Sequence, residues 1–258
     1  MSSATLTKIF LAVSILGSTL TIARIIGSGL ARRYRAFCIF FLFRIIDLLY
    51  PLFLNPRSNL YAWVWVCTEP VQRILCVLAV VELYRLILEQ YRGLYSLGRW
   101  VLYLSSGVAV LISIASLLPH ITPSMPQKSR YLGYVFAFNR GVDLSLVIII
   151  IVMLLFLSRF PVTLSRNVLV HAGLYSVFFL SSSMYLLLGT VLGLKARTEV
   201  NLIFFGVTAA CTVAWFFLLT PAGERVKASR FKFSPEYERR ALGQLDALNQ
   251  VLLRSSKG

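Results

Sequence analysis

Acid is scarce in this sequence: 10 of its 258 residues are Asp or Glu, against 26 Lys and Arg, for a formal net charge of +16. Histidine is scarcer still. His120 and His171 are too few for a histidine-rich metal centre, and no metal site is expected. The 4 cysteines, Cys38, Cys67, Cys76 and Cys211, fall in apolar segments without ligand spacing and read as small core residues. No His-Glu-x-x-His, phosphate-binding loop, Gly-x-Ser-x-Gly or acid-rich diphosphate motif occurs, so no catalytic residue, no cofactor and no enzyme activity is expected. Charged residues of both signs make up only 14% of the chain, whereas hydrophobic ones reach 58% and the mean hydropathy is +0.77. Soluble domains hold about half apolar residues, so an ordinary soluble domain is excluded. Nucleic acid, which the excess of positive charge would otherwise imply, is not an expected partner, because the basic residues gather in short loops and the tail.

What is abundant is long apolar runs. They cover residues 5 to 27, 35 to 54, 60 to 88, 96 to 118, 131 to 158, 166 to 192 and 199 to 220. A membrane-crossing helix needs ~20 residues, so the sequence predicts an all-α, polytopic membrane protein: a bundle of seven transmembrane helices over residues 1–220 and a basic tail over 221–258. The first run has only Lys8 before it, whereas Arg24, Arg32, Arg33 and Arg35 follow, which predicts an uncleaved helix with its N-terminus outside. Threading the remaining loops through that topology puts 17 Lys and Arg on the inner side and 6 on the outer. The excess of basic residues on the cytoplasmic side therefore places the C-terminus in the cytoplasm. Trp63, Trp65, Tyr131 and Tyr134 at outer ends, and Tyr91, Tyr95, Trp100 and Trp215 toward inner ones, fit interfacial aromatic belts.

Beyond Pro221, Arg225, Lys227, Arg230 and Lys232 form a juxtamembrane basic cluster interleaved with Phe231 and Phe233, of the kind that attracts anionic lipid headgroups. Ser234-Pro235-Glu236 supplies a helix start, and Ala241, Leu245, Leu248 and Leu252 recur at helical spacing. An amphipathic helix over 235 to 253 follows, lying on lipid or meeting a protein partner.

The spans themselves are interrupted by charge, which is costly at membrane depth and marks a functional hypothesis by default. Glu69 and Arg73 stand four apart around Pro70, which removes a backbone donor and predicts a kink. Arg44 and Asp47 lie in the second run, and Asn139, Arg140 and Asp143 in the fifth, each acid three residues after its arginine and on the same helix face. At 1.5 Å per residue these pairs fall in one layer, roughly 13 Å from the outer ends, and Ser181, Ser182 and Ser183 of the sixth run reach a similar depth. Three Arg face three acids, so the layer is formally neutral. Two readings follow: an outward-facing polar cavity in which Arg meets an anionic ligand, or a closed salt-bridge network that fixes packing. Glu82, Arg85 and Glu89 read as solvated or snorkelling residues, His171 as a hydrogen-bonded packing residue, and Ser18, Thr19, Thr21, Thr208 and Thr212 as bonding their own backbone.

Phe43-Arg-Ile-Ile-Asp47 echoes Asn139-Arg-Gly-Val-Asp143, a two-residue match that carries little weight as an inverted repeat. Retinal proteins also have seven spans and an outside N-terminus, but their Schiff base needs a lysine in the last span, and 199 to 220 contains none. Thr68-Glu-Pro70, Glu82-Leu-Tyr84, Arg140-Gly-Val-Asp143 and Phe160-Pro-Val-Thr-Leu-Ser-Arg-Asn167 resemble segments of an uncharacterised family of bacterial seven-helix membrane proteins. That resemblance implies a bacterial inner membrane and brings no activity, ligand or site with it. The expected function is a receptor-like or sensor-coupled bundle whose polar layer binds a ligand. A small-solute transporter or channel subunit is the alternative, and an enzyme acting on a lipid-soluble substrate comes third.

Overall fold

The computed structural model describes residues 3–55, 58–88, 127–159, 164–191, 193–225 and 227–228, with scattered positions between 100 and 115 and between 236 and 250. Six long helices dominate: α1 Ser3–Gly27, α2 Arg35–Phe53, α3 Asn59–Ile87, α4 Gln127–Arg159, α5 Arg166–Val191 and α6 Gly193–Leu218. Short elements complete the described fold: a 3-10 turn at Leu30–Arg32, helix α7 at Pro221–Arg225, and a two-residue antiparallel ladder of β1, Leu164–Ser165, with β2, Lys227–Ala228. Among the described residues, these six long helices are long and apolar enough to cross a membrane. They match six of the expected runs to within a few residues. The fourth run lies largely outside the described residues; its described positions, such as Trp100, Leu104 and Leu111, are helical and exposed.

Helix extends into two expected loops. Lys128 and Arg130 sit in the first turn of α4, and Lys195 and Arg197 in that of α6, so the apolar run marks less than the helix that carries it. Pro70 lies inside α3, which continues on both sides of it. The proline takes away the donor for the Val66 carbonyl, yet packing on both flanks keeps the helix whole. Ser58 caps α3, accepting from the Tyr61 amide at 3.1 Å. Between α1 and α2 the chain turns at Gly29, whose φ of 73° is a conformation that side chains resist.

Chain order is spatial order. Each long helix packs on its neighbours in sequence, and α6 returns to pack on α1, closing a ring. Glycine makes that closure tight, since a Cβ at Gly17 of α1 would stand 3.4 Å from Thr212 Cβ of α6. Contacts along the pairs give the directions. Tyr50 of α2 meets Tyr61 of α3, while Ala36 meets Glu82, so these helices are antiparallel. By contrast Trp63 meets Tyr131 and Arg73 meets Asp143, so α3 and α4 run parallel. Gly206 beside Phe10 and Phe216 beside Arg24 make α6 parallel to α1.

The ring is apolar outside and mixed inside. Leu16, Ile46, Ile74, Ile148, Leu180 and Ile203 are exposed on outward faces, which suits a lipid surround. Inside, Phe37, Phe40 and Phe41 of α2, Tyr175, Phe178 and Phe179 of α5, and Trp215 of α6 are fully buried and stack edge to face on one another. This aromatic plug fills the half of the ring toward Pro221, and the layer of Arg44, Glu69, Arg73 and Asp143 lies on its Ser3 side. Trp215 therefore belongs to the core, not to an interfacial belt, because α6 turns it inward onto Phe37. Trp63, Tyr131 and Tyr134 are exposed, as a belt requires, and Tyr91 and Tyr95 lie outside the described residues.

Candidate functional site

On α3, Arg73 Nη2 reaches Glu69 Oε2 at 3.4 Å, one turn back. Its Nη1 crosses to α4 and donates to Asp143 Oδ1 at 3.0 Å. Asp143 is fully buried, and its second oxygen accepts from the Ser182 hydroxyl of α5 at 2.6 Å. Asn139, one turn before Asp143, donates through Nδ2 to Glu69 Oε2 at 3.2 Å. A continuous polar chain thus joins three helices, and charge assistance makes its Arg–carboxylate links the strong ones.

The expected pairing of Arg140 with Asp143 inside one helix gives way to this arrangement. Asp143 faces α3 and α5, where Arg73 and Ser182 engage both its oxygens, while Arg140 lies on the half-buried flank of α4. Spacing along one helix fixes a shared face within about 60°, and that tolerance separates the bundle interior from its flank. Arg44 and Arg73 thus share the layer with Asp47, Glu69 and Asp143, and Arg140 is half-buried on the flank of α4.

Arg44 and Asp47 of α2 stand apart from the chain. The Arg44 guanidinium is buried and lies 4.9 Å over the Phe178 ring, a cation–π contact, and its Nε has no protein partner. Asp47 sits beside Thr68 and Glu69 of α3, with Oδ1 unpartnered. Among the described residues neither forms an ion pair, with the other or elsewhere.

Helix register carries this polar level across the whole ring. The antiparallel match of α2 and α3 puts Gln72 level with Arg44. The pairing of Gly17 with Thr212 puts Ser14 level with Thr208, and that of Tyr175 with Trp215 puts Thr208 level with Ser182. Each of the six helices then contributes buried polar atoms without a protein partner: Ser14 Oγ, Arg44 Nε, both amide atoms of Gln72, Asn139 Oδ1, Ser183 Oγ and Thr208 Oγ1. Such an atom costs about 1–3 kcal/mol when left unpaired in the interior. Six helices incurring that cost at one level make a buried polar layer, bounded at Arg44 by the Phe178 ring. The hydroxyls of Thr19, Thr21 and Thr212 do bond their own backbone, but Ser18 and Thr208 do not, and they extend the polar lining between α1 and α6.

Two other residues depart from expectation. His171 is buried in the plug between the rings of Tyr34 and Phe37, each centroid 4.6 Å away, with both ring nitrogens unpartnered. It is a packing residue without the hydrogen bond. Glu82 is neither solvated nor snorkelling: it is buried and accepts from the amides of Ala36 and Phe37 at 3.0 and 3.1 Å, capping α2 from α3. Its need is visible in the sequence, since Tyr34 and Arg35 give α2 no capping side chain of its own. Replacing Glu82 by Ala should cost about 1–2 kcal/mol, measured as a lower denaturation midpoint of the purified protein, while Glu82→Gln should recover part of it.

Sequence reasoning missed a latch at the Pro221 end. Glu224 of α7 accepts from the Tyr34 hydroxyl and from Asn167 Nδ2, and pairs with Arg33 Nε at 3.1 Å. Asn167 also donates to the Thr220 carbonyl at 2.8 Å, and a Cβ on Gly223 would lie 2.2 Å from its Oδ1. Burial and the Glu224 carboxylate raise the Tyr34 phenol far above its ordinary pKa, so it stays a donor. The readable signal was Thr220-Pro221, a capping hydroxyl before a proline at the first helical position; Thr220 Oγ1 accepts from the Gly223 amide at 3.1 Å. Of the tail's basic cluster, Lys227 pairs with Ser165 in the ladder, while Arg230 and Lys232 lie outside the described residues. The described positions between 236 and 250 are helical, and Ala241, Leu245, Leu248 and Leu252 lie outside them. No group of His, Cys, Asp and Glu able to hold a metal ion occurs among the described residues.

No protein-family model matches the chain, and neither does a curated protein or a solved structure.

Proposed function

We propose that this chain is a receptor-like or sensor-coupled membrane protein of seven spans, N-terminus outside and C-terminus cytoplasmic. Its polar chamber binds a small ligand from the Ser3 end. The observation that carries the reading is the division of the ring's interior. One level draws unpartnered polar atoms from all six described helices, and beside it toward Pro221 the interior is filled by fully buried aromatic rings. A polar layer backed by an aromatic plug suits recognition better than passage, which favours this reading over a transporter or channel subunit.

Helix direction supports the seven spans. Adjacent helices α3 and α4 are parallel, which supports a further crossing between them, and the apolar run 96 to 118 is long enough to supply it. The parallel pairing of α1 with α6 likewise asks for an odd number of spans. With Arg32, Arg33 and Arg35 at the Pro221 end, that end is cytoplasmic, in keeping with the resemblance to bacterial inner-membrane proteins. The tail residues Arg225, Lys227, Arg230 and Lys232 then meet anionic headgroups or a protein partner, and the latch couples them to the bundle.

Membrane-impermeant labelling of single cysteines placed at Ser2 and Ser256 should modify them from opposite sides, and labelling of both from one side would end the topology. For function, a thermal-shift ligand screen on the purified protein should be set beside solute flux in proteoliposomes. Stabilisation by a ligand that produces no flux is the expected result; flux of that ligand would turn the assignment to a transporter.

A further inference from the structure

The polar layer holds two opposite charges that stand close without forming an ion pair. Arg44 and Asp47 are three residues apart on α2, a spacing at which side chains of opposite sign readily pair. Among the described residues they form no ion pair, and Arg44 Nε and Asp47 Oδ1 are both unpartnered. A buried guanidinium without an acceptor and a carboxylate without a donor, one helical turn apart, form a site with two poles.

We propose that the chamber takes a small zwitterion, a molecule bearing a carboxylate and an ammonium close together, with its carboxylate on Arg44 and its ammonium on Asp47. This rests on the reading of the chamber as a ligand site and names the ligand's chemical class.

The surroundings differ at the two poles in the sense this requires. Around Arg44 the unpartnered groups can donate: the Gln72 amide is level with it, and the Ser183 and Thr208 hydroxyls share that level. These supply further hydrogen bonds to a carboxylate, whose link to a guanidinium is the strongest in the set. Around Asp47 the groups can accept. Glu69 lies beside it, Thr68 Oγ1 is unpartnered, and the rings of Tyr50 and Tyr61, 5.4 Å apart and half-buried toward the Ser3 end, offer π faces to a cation.

Charge balance selects against simpler ligands. The layer already sets Arg44, Arg73 and half-buried Arg140 against Asp47, Glu69 and Asp143. A plain anion on Arg44 would add a negative charge and leave Asp47 unanswered. A plain cation on Asp47 would leave Arg44 unanswered and approach two guanidiniums. A zwitterion answers both poles and leaves the sum unchanged. Size is limited by Phe178, which covers the Arg44 guanidinium from the plug side.

The test compares three probes on the full-length protein in detergent at equal ionic strength: glycine, sodium acetate and methylammonium chloride, each at millimolar concentration. Glycine should raise the unfolding temperature saturably, with at least tenfold higher apparent affinity than either single-charge probe. Arg44→Gln and Asp47→Asn should each lower the glycine affinity at least tenfold, and Arg44→Lys should lower it less than Arg44→Gln. The probe comparison on unaltered protein stands even where a variant does not fold. Acetate matching glycine would replace the proposal by a plain anion site, methylammonium matching it by a cation site, and no response to any probe would overturn it. Failure of the zwitterion and failure of the chamber itself separate in the broader screen. Another ligand whose stabilisation is lost in Asp47→Asn would keep the chamber as a site, whereas a screen with no such ligand would remove the functional reading as well.

Discussion

Replacing Arg73 by Met should destabilise the bundle by about 3–5 kcal/mol, because a buried ion pair that loses one partner leaves an uncompensated charge behind. The charge left is Asp143, which is fully buried and would retain only the Ser182 hydroxyl. Glu69 would lose its link to Arg73 and keep Asn139. Arg73→Met combined with Asp143→Leu should be more stable than Arg73→Met alone, since removing both members of a buried pair is often neutral or favourable. The measurement is a denaturation series on wild type, Arg73→Met, Asp143→Leu and the double variant. Equal stability of Arg73→Met and wild type would mean that water, not Arg73, compensates Asp143, and that the chain described across α3, α4 and α5 does not persist in the membrane.

Trp215 carries the second large effect. It is fully buried and touches Phe37, Phe41, Tyr175 and Phe178. Trp215→Ala should cost about 3–5 kcal/mol, the transfer and cavity cost of a large aromatic in a close-packed core. Its consequence for permeation is as informative as its stability. The cavity would adjoin the unpartnered polar atoms of His171 and Tyr175, which invite water into it. Liposomes bearing the variant should then leak small ions that the unaltered protein retains. Trp215→Phe is the control: it keeps most of the volume and removes an unpartnered indole N–H, so it should remain close to wild type in stability and tight to ions. A tight Trp215→Ala variant would show that the plug is not the seal.

The spans were legible in the sequence because the bilayer sets both their length and their composition, and each reads from a window of the chain alone. Depth was legible for the same reason: counting 1.5 Å per residue set Glu69, Arg73, Asn139, Asp143 and Ser182 at one height, and the structure brings these five within bonding distance. Partnership was not. Whether Asp143 looks to Arg140 on its own helix or to Arg73 on the next depends on rotation of α4 against α3, which no spacing within one helix specifies. Glu82 escaped for a related reason. Its role is to satisfy amides at the start of another helix, and only the antiparallel meeting of α2 with α3 brings the carboxylate to Ala36 and Phe37. The latch was hidden because Arg33, Tyr34, Asn167 and Glu224 come from three distant stretches of chain, each unremarkable alone.

The closure of the ring between its first and last described helices has a consequence for how the molecule is made. A membrane protein enters the bilayer from its N-terminus onward, and α1 arrives with Ser14, Ser18 and Thr21 on the face that will meet α6. Until α6 is synthesised, that face has no permanent neighbour and Gly17 has no Thr212 to pack on. The growing bundle is an open arc for most of its synthesis, with its hydroxyl seam at one free edge. A chain stopped before residue 193 would keep that edge bare, a natural handle for a membrane chaperone or a quality-control protease. Glu224 follows α6 by a few residues and binds Tyr34, which was made near the beginning, so the last contact formed registers that the circle has been completed.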